Sequence, residues 1–357
     1  MGHVEALGGT MSRQFLPEWH RQWGVMLAWP HEDTDWFDNL AEAQACYLEL
    51  AHAITRFENV LIICLNEGHQ AEIESALKDR GVDLTRVYCE TMQYDDTWAR
   101  DFGFITVFDQ GKPLLLDFKF NAWGGKFESS ADDQINQNLS VKALFKQNRF
   151  ESQPWVLEGG SIETDGLGTL LTTEYCLLNP NRNPELSRSD IESKLSAALG
   201  VKHILWLTRG SLEGDDTDAH IDTLARFVDE QTIVYMRCTD ANDSHFDELK
   251  AMESELQLMR QPNGEPYQLV PIDMPAMIES GERRLGASYV NFLLVNGAIL
   301  LPVYGDEEAD AQAIGVMGKA CPERAIVPIN CRALIEQNGS LHCITMQIPE
   351  EVVSRES

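Results

Sequence analysis

Short apolar segments alternate with longer amphipathic ones along most of the 357-residue chain. A short apolar run is typical of a strand buried in a sheet, whereas a helix is longer and repeats its apolar residues every three to four positions. Strands are predicted at Val25–Trp29, Val60–Leu65, Phe104–Phe108, Leu114–Phe118, Leu170–Thr173, Ile204–Leu207, Ile233–Cys238, Phe292–Val295, Ile299–Val303 and Ala325–Ile329. Helices are predicted at Phe37–Phe57, Ala71–Arg80, Asp190–Leu199, Phe246–Met259 and Glu307–Lys319. The alternation predicts a mixed α/β fold.

Specific residues mark the ends of two of these elements. Ser189 and Glu192 have the spacing of a capping box, and Gly200 follows the last apolar position of the same helix. Asn296-Gly297 separates two apolar runs and is the strongest short signal for a hairpin turn. Antiparallel pairing is therefore expected, which argues against a purely parallel, doubly wound sheet.

The spacing of the elements bears on domain organisation. Groups of strands and helices return about every 60 to 70 residues, a period compatible with a repeated supersecondary unit. No Pro-rich or Gly/Ser-rich linker divides the chain. We therefore expect one catalytic domain over residues 13–357, after a ragged N-terminus or cloning remnant at residues 1–12.

The charge balance restricts the partners of the chain. Lys and Arg number 28 against 57 Asp and Glu, a formal charge of −29. Such a charge disfavours nucleic acid and anionic membranes and attracts cations, although it can also serve solubility alone. No apolar run approaches the roughly 20 residues that span a bilayer, and no signal peptide opens the sequence. We expect a cytoplasmic protein with neither membrane nor nucleic-acid partners.

The cysteines point to reduced thiols. Eight are present, at positions 46, 64, 89, 176, 238, 321, 331 and 343, with no CxxC pair and no metal-ligand spacing. We therefore expect neither a disulfide framework nor a metal site.

Two short motifs contain a potential base and a potential nucleophile. His220-Ile221-Asp222 would place His220 and Asp222 on one face if the segment is extended, although a solvated acidic loop is the simpler alternative. Cys343 follows a flexible Asn-Gly-Ser turn that permits an exposed thiol, yet most lone cysteines are inert. The adjacent His342 would face the opposite side of an extended strand, so we expect it to have no catalytic part.

Two further motifs contribute carboxylates. Glu158 precedes a Gly-Gly pair, which permits close approach of the backbone to a ligand but also suits a plain turn. Asp101 lies just before an apolar strand, where loop residues are held by a rigid scaffold; pairing with Arg100 is the alternative. Trp98 could stack on a planar cation or belong to the core. A thiol, an imidazole and three carboxylates suit attack on a cationic, electron-poor carbon such as that of a guanidinium.

Other catalytic classes lack their motifs. The chain has no GxGxxG, P-loop, HExxH or GxSxG sequence, so nucleotide-binding, zinc-protease and serine-hydrolase functions have no support.

Longer stretches of the chain, from about Leu16 to Pro349, resemble the agmatine deiminase family. That family belongs to the guanidino-group-modifying (pentein) superfamily, together with arginine and peptidyl-arginine deiminases. The resemblance rests on Asn121–Gly125, Leu157–Ile162, Gly166–Glu174, Ser288–Phe292 and His342–Thr345.

The resemblance implies a fold and a set of partners. The fold would be a five-bladed α/β propeller of pseudo-fivefold ββαβ-type repeats. The reaction would be hydrolysis of agmatine to N-carbamoylputrescine and ammonia through a covalent amidino-cysteine intermediate, without metal or organic cofactor. A homo-oligomer, as a dimer, is expected.

The resemblance also implies residue roles. Cys343 would be the nucleophile and His220 the acid/base. Asp101 and Asp222 would clamp the guanidinium, with Glu158 as the supporting carboxylate. The substrate-binding residues would be Asp101, Asp222, Glu158, Trp98 and Trp123.

Two other functions remain open. One is deimination of another guanidine, either free or peptidyl arginine, and the other is non-catalytic binding of polyamines or cationic peptides. Acids cluster beside His220, at Glu213, Asp215, Asp216 and Asp218. If one of them faces the pocket mouth, it would favour the terminal ammonium of agmatine over the carboxylate of arginine.

Overall fold

The computed structural model describes residues 13–353, so the expected N-terminal remnant at 1–12 lies outside the described residues. The strands are β1 (Gln14–Phe15), β2 (Gln22–Ala28), β3 (Asn59–Cys64), β4 (Val87–Thr91), β5 (Ile105–Asp109), β6 (Lys112–Lys119), β7 (Arg149–Val156), β8 (Ile162–Thr164), β9 (Thr169–Thr173), β10 (His203–Leu207), β11 (Ala225–Phe227), β12 (Thr232–Arg237), β13 (Gln268–Asp273), β14 (Glu279–Ser280), β15 (Arg283–Arg284), β16 (Leu293–Val295), β17 (Ala298–Val303), β18 (Ala325–Asn330) and β19 (Met346–Pro349). The helices are α1 (Leu40–Thr55), α2 (Glu67–Asp79), α3 (Ala99–Phe102), α4 (Ala122–Gly125), α5 (Ile135–Ser140), α6 (Glu174–Leu177), α7 (Arg188–Leu199), α8 (Phe246–Leu258) and α9 (Glu307–Ala320). The expected mixed α/β class is confirmed.

Five sheets share one pairing pattern, and in four of them the three strands follow one another along the chain, whereas β19 comes after β2 and β3 in sequence. In each, a first strand pairs antiparallel with a second, a connection containing helix follows, and a third strand pairs parallel with the second. The sets are β19-β2-β3, β5-β6-β7, β8-β9-β10, β11-β12-β13 and β16-β17-β18. Strands β1 and β4 extend two of these sheets, and β14 pairs with β15 in a small hairpin.

The ten predicted strands and five predicted helices are present, but one helix cap lies elsewhere. Helix α7 begins after Ser187, whose Oγ accepts a hydrogen bond from Asp190 N while the Asp190 carboxylate accepts one from Ser187 N. The predicted box at Ser189 is therefore wrong by two residues, because Ser187 and Asp190 have the same spacing and chemistry. Gly200 ends the helix at φ 77°, as expected. Asn296-Gly297 joins β16 to the antiparallel β17, also as expected.

The core lies between the sheets and the helices that cover them. Strand β3 is buried along all but its first residue, and α1 packs on it through Tyr47, Leu50 and Ile54. These side chains recur every three to four positions, which gives α1 one apolar face. Among residues 13–353 no helix has the length and apolar character needed to cross a membrane.

Candidate active site

The reactive side chains occupy equivalent places in the five sheets, since each lies shortly before the first strand of its sheet. These residues are Asp101 before β5, Glu158 before β8, Asp222 before β11, Asn291 before β16 and Cys343 before β19. All five are buried. The shared connectivity therefore brings together residues that are far apart in sequence. Asn291 was not singled out as a site residue, and its position just before β16 is the signal that could have identified it.

His220 and Asp222 meet at the site, although their segment is not extended. Residues Ile221–Thr223 form a 3-10 turn, with His220 as its N-cap. The His220 ring is 1% exposed, and neither ring nitrogen has a hydrogen-bond partner. Its Nδ1 lies 3.6 Å from Asp101 Oδ1, and its Nε2 lies 4.0 Å from Glu158 Oε2. Such orphaned nitrogens are what a site awaiting a polar ligand would present.

Gly160 allows these groups to converge. A Cβ at this position would lie 2.6 Å from His220 Nδ1, 2.8 Å from Asp101 Oδ1 and 3.0 Å from Asp222 Oδ2. The Gly160 amide donates to Asp101 Oδ1 at 2.9 Å. The expected close approach at the Gly-Gly pair is present, and it involves the site side chains of the protein itself. Asp101 does not pair with Arg100, which contacts Glu18 at 3.1 Å instead.

Glu158 has a basic partner that its own motif does not contain. Arg182 Nε donates to Glu158 Oε1 at 2.6 Å, and both side chains are buried. The same guanidinium donates to the carbonyl oxygens of Trp123 and Thr217, at 3.0 and 2.8 Å, and pairs with Asp218. Arg182 thus links the segments that contain Trp123, Glu158 and Thr217. Its role depends on tertiary contacts, so the local sequence gives no signal for it.

Cys343 contacts Asp222 and Asn291. Its Sγ lies 3.8 Å from Asp222 Oδ2 and 3.5 Å from Asn291 Oδ1. The other oxygen of Asp222, Oδ1, is buried without a hydrogen-bond partner. A buried carboxylate oxygen left free beside a thiol is available to an N–H donor of a ligand.

His342 contradicts the expectation that it points away from the site. The chain around Cys343 forms a turn and not a strand, since β19 begins only at Met346. His342 is fully buried, and its Nδ1 lies 2.7 Å from Asp222 Oδ2. The alternation of faces in a strand therefore does not apply to this pair.

Two tryptophans form part of the pocket wall. Trp123 Nε1 donates to Asp101 Oδ2 at 2.9 Å, and the Trp123 ring lies edge-on to Trp98 with centroids 6.2 Å apart. Ala122 and Trp123 have φ angles of 47° and 55°, in the left-handed region that non-glycine residues rarely occupy. Asp218 and Ala219, just before His220, have φ angles of 66° and 66°. Strained backbone of this kind clusters at functional sites, where surrounding contacts hold it in place.

A pocket of about 400 Å³, including its open mouth, lies over Cys343 and Asp101. Its walls include Trp98 and Trp123, and its acidic residues are Asp35, Asp96 and Asp216. Within residues 13–353, no lysine or arginine lines it. Burial, reinforced by the nearby charge of Asp35, raises the pKa of Asp96 to about 7. The pocket therefore suits a cation better than an anion.

Four acids lie near His220 in sequence, at positions 213, 215, 216 and 218. Of these, Asp216 alone lines this pocket. Asp215 accepts hydrogen bonds from the amides of Thr217 and Ala219. Asp218 pairs with Arg182 and Lys126. Glu213 is exposed outside the pocket lining.

The buried charges shift the protonation of the site. Burial raises the pKa of the Cys343 thiol well above its ordinary value, and the carboxylates of Asp222 and Asp101 add to this effect. Burial also raises the pKa of Asp101 to about 6. Burial opposes protonation of His220, but Asp101 and other neighbours raise the pKa of its ring well above 6.5. In the free protein the thiol is thus protonated and the imidazole is cationic.

Two groups of side chains are close enough together to hold a metal ion, within the part of the chain described. They are Glu158, Cys176 and His220, and Glu18, Glu163 and His342. Each group already contains a glutamate paired with a buried arginine, Arg182 in the first and Arg226 in the second. A fixed guanidinium beside the ligands repels a metal cation, so neither group suits a resident metal.

Known protein families and individual proteins resemble this chain over nearly its whole length. The family model of the Porphyromonas-type peptidyl-arginine deiminases matches residues 14–349. The chain is 36% identical to the agmatine deiminase of Stutzerimonas stutzeri (strain A1501), covering 95% of this chain and 96% of that protein. It is 33% identical to the agmatine deiminase of Medicago truncatula, covering 98% of this chain and 100% of that one.

Solved structures give the same result. C. jejuni agmatine deiminase with substrate bound has a TM-score of 0.87 at 36% identity, covering 98% of this chain and 99% of that one. The agmatine deiminase of Enterococcus faecalis has a TM-score of 0.86 at 28% identity, covering 97% and 99%. Matched over nearly its whole length in both sequence and structure, this chain belongs to the agmatine and peptidyl-arginine deiminase family.

Proposed function

We propose that this protein hydrolyses agmatine to N-carbamoylputrescine and ammonia, with Cys343 as the nucleophile. One observation carries the proposal: a thiol beside two buried carboxylates lies at the base of a pocket lined by acids and aromatic rings. Buried carboxylates without a cation are costly, and a guanidinium neutralises them while presenting its carbon to the thiol. The family relationship and the agmatine deiminase relatives support the same reaction.

In the proposed complex the guanidinium donates to the free Asp222 Oδ1 and to Asp101, and Glu158 supports His220. Trp98 and Trp123 confine the planar group. The positive charge of the substrate offsets the two carboxylates that raise the pKa of Cys343, so the thiol ionises once substrate is bound. The substrate thereby activates its own nucleophile.

The first chemical step forms a bond between Cys343 Sγ and the guanidinium carbon, and breaks one C–N bond. Protonated His220 donates to the departing nitrogen, and the thiol proton leaves as well, so ammonium is released. A positively charged amidino-thioether remains on Cys343.

The second step is hydrolysis. Water attacks the same carbon, and neutral His220 accepts one of its protons. The C–S bond breaks, the sulfur takes the second proton, and the ureido product departs. Both Cys343 and His220 return to their starting states.

The other end of agmatine carries an ammonium. We place it among Asp96, Asp216 and Asp35 at the pocket mouth. Lys126 donates to the backbone carbonyl of Asp216 but does not line the pocket. Free arginine adds a carboxylate, which would need a cationic partner there.

We also propose that the five sheets of shared connectivity are the blades of a five-bladed propeller, with the site at its axis. The equivalent positions of Asp101, Glu158, Asp222, Asn291 and Cys343 support this arrangement. We propose a homo-oligomer with a dimer as its form, and analytical ultracentrifugation would give the subunit number.

The function is tested by measuring ureido product and ammonia with agmatine, free arginine, a blocked arginine peptide and a methylated guanidine. We expect agmatine to be turned over best. Preference for the blocked peptide would favour peptidyl-arginine deimination, and binding without ammonia release would identify a polyamine binder.

A further inference from the structure

Buried His342 and partly buried Glu18 lie in contact behind the Asp222 carboxylate. His342 Nδ1 lies 2.7 Å from Asp222 Oδ2, and its Nε2 lies 2.6 Å from Glu18 Oε1. The ring is fully buried, and Asp222 is fully buried beside it. His342 thus bridges two carboxylates, and one of them also contacts the Cys343 thiol.

Glu18 is itself held firmly. Its carboxylate pairs with Arg226 and contacts Arg100 Nη1 at 3.1 Å. Gln347 Nε2 donates to Glu18 Oε2 at 2.9 Å. Bonds between guanidinium and carboxylate groups are charge-assisted and directional, so the Glu18 oxygen that meets His342 has a fixed position.

The contacts of the His342 ring with Asp222 and with Glu18 each require one proton. An ionised carboxylate only accepts hydrogen bonds, so each contact needs a proton either on the ring nitrogen or on the carboxyl oxygen. Burial and the charges of Arg100 and Arg226 lower the pKa of His342, which favours a single proton on the ring. The pKa values of Glu18 and Asp222 are also lowered, against the effect of burial, by Arg226 and by His342 respectively, so the three groups compete for the second proton. Whichever atom carries it, Asp222 Oδ2 is engaged by a proton in its contact with Nδ1.

This contact fixes which oxygen of Asp222 is free. Oδ2 is engaged by His342, whereas Oδ1 has no hydrogen-bond partner. Turning the Asp222 carboxylate plane away from His342 would break a 2.7 Å contact in a fully buried environment. Turnover of a guanidine requires a fixed orientation of the Asp222 carboxylate, because a shift of about 1 Å at a positioning group can cost 100-fold in rate.

We propose that His342, anchored by Glu18, is a positioning residue that orients Asp222 for the guanidinium and limits its negative charge at Cys343. The proposal rests on the proposed deiminase function. It assigns a role to the histidine beside the nucleophile, which the local sequence pattern excluded.

Two amide substitutions separate the two contacts of the ring. The amide nitrogen of Asn reaches about as far as histidine Nδ1, so His342→Asn retains a donor for Asp222 and loses the contact with Glu18. The longer Gln reaches about as far as Nε2, so His342→Gln retains a partner for Glu18 and loses the contact with Asp222. His245→Gln is the matched control, because His245 is also buried and bridges Asp243 and the Glu213 amide outside the site.

The measurements are kcat, KM and the pH dependence of Cys343 alkylation by iodoacetamide, with thermal melting to verify folding. We expect His342→Gln to lower kcat/KM for agmatine by about 10- to 100-fold, the range typical for loss of a residue that orients a ligand group. Its alkylation profile should move upward by roughly one pH unit, because Asp222 then repels the thiolate more strongly. The kcat/KM of His342→Asn should stay within about tenfold of the wild-type value. His245→Gln should have the wild-type kcat/KM.

A folded His342→Gln protein with wild-type kcat, KM and alkylation profile would overturn the proposal. If that variant does not fold, His342→Asn decides: a folded but inactive His342→Asn enzyme would equally overturn it. Failure of the proposed function gives a different result, since the wild type itself would then release no ammonia from any guanidine.

Discussion

The residues of the site form a charge arrangement that is incomplete without a cation. Asp101 and Asp222 are buried beside a thiol whose pKa they raise, and Asp222 retains one unpartnered oxygen. A bound guanidinium satisfies that oxygen and offsets both carboxylates. The free protein therefore keeps the Cys343 thiol protonated, and in the proposed mechanism the bound guanidinium provides the charge that ionises it.

Some site residues could be found from sequence and others could not. His220, Asp222 and Cys343 lie in short motifs that place reactive groups beside glycine or acidic residues. Arg182 lies far in sequence from Glu158, and nothing in its own neighbourhood indicates that contact. The prediction that His342 points away from the site was wrong because it assumed a strand where the chain forms a turn.

Gly160→Ala tests the convergence of the site groups. The added Cβ would lie within 3.0 Å of three site side chains, so we expect kcat/KM to fall about 100-fold or more and the protein to lose about 1–3 kcal/mol of stability. Gly315→Ala is the control, since its Cβ meets nothing within 4 Å in the middle of α9. It should retain full activity and gain about 0.5–1 kcal/mol of stability. Full activity in Gly160→Ala would contradict the packing described.

The pKa of Asp101 predicts the acid side of the pH profile. Burial raises this pKa to about 6, so below pH 6 the free enzyme holds a neutral carboxyl that cannot pair with a guanidinium. We expect kcat/KM for agmatine to rise with pH and to level off above an apparent pKa near 6. Steady-state rates in buffers of constant ionic strength would measure kcat/KM as a function of pH. A profile that is flat between about pH 5 and 8 would be inconsistent with this role.

At the scale of elements, apolar strands were predictable and polar ones were not. Strands β3 and β17 are almost wholly buried, so their apolar runs are recognisable in the sequence. Strands β7 and β13 include charged and proline residues and are partly exposed, so periodicity does not reveal them. Polar strands of this kind depend on their neighbours for pairing. The shared connectivity became visible only with those pairings.

The junction between α1 and β3 contains a pH-sensitive residue, Glu58. It is buried, accepts a hydrogen bond from Asn296 N at 2.8 Å, and has a pKa raised by burial from 4.5 to about 7. The folded protein binds this proton more tightly than the unfolded chain, so stability falls as pH rises from 4.5 to about 7.

Glu58→Gln should remove the loss of folding stability that Glu58 causes as pH rises. We expect the variant to be about 1–3 kcal/mol more stable than the wild type at pH 8 and to lose this advantage at pH 5. Urea denaturation at the two pH values measures the difference. An equal gain in the free energy of unfolding at the two pH values would show that Glu58 does not titrate as described.

At the scale of the whole molecule, few of the charged side chains in the described residues are buried, and the buried Lys and Arg side chains are three arginines. Arg100, Arg182 and Arg226 are buried, and each pairs with a glutamate. Because few of the 57 Asp and Glu and of the 28 Lys and Arg are buried, most of the formal charge of −29 lies at the surface and at the pocket mouth. A field of this sign attracts a dication and raises its rate of association.

This charge distribution predicts substrate preference. An acid about 6 Å from a substrate carboxylate costs about 2–3 kcal/mol at an effective dielectric near 20. Allowing for screening, we expect kcat/KM for agmatine to exceed that for free arginine by at least about tenfold at low ionic strength. Asp96→Asn with Asp216→Asn should narrow the difference, and Glu213→Gln, which removes a charge outside the pocket, should not. Equal kcat/KM values for both substrates in the wild type would favour an arginine-type deiminase.

The central claim is covalent catalysis by Cys343, and mass spectrometry of acid-quenched enzyme tests it most directly. During turnover of agmatine or a slower guanidine, the peptide containing Cys343 should gain the mass of the substrate less ammonia. The other seven cysteines, including buried Cys176 beside His220, should gain nothing. Cys343→Ala should fold normally, bind agmatine, form no adduct and release no ammonia. An adduct on another cysteine, or ammonia release by pure Cys343→Ala protein, would contradict the account.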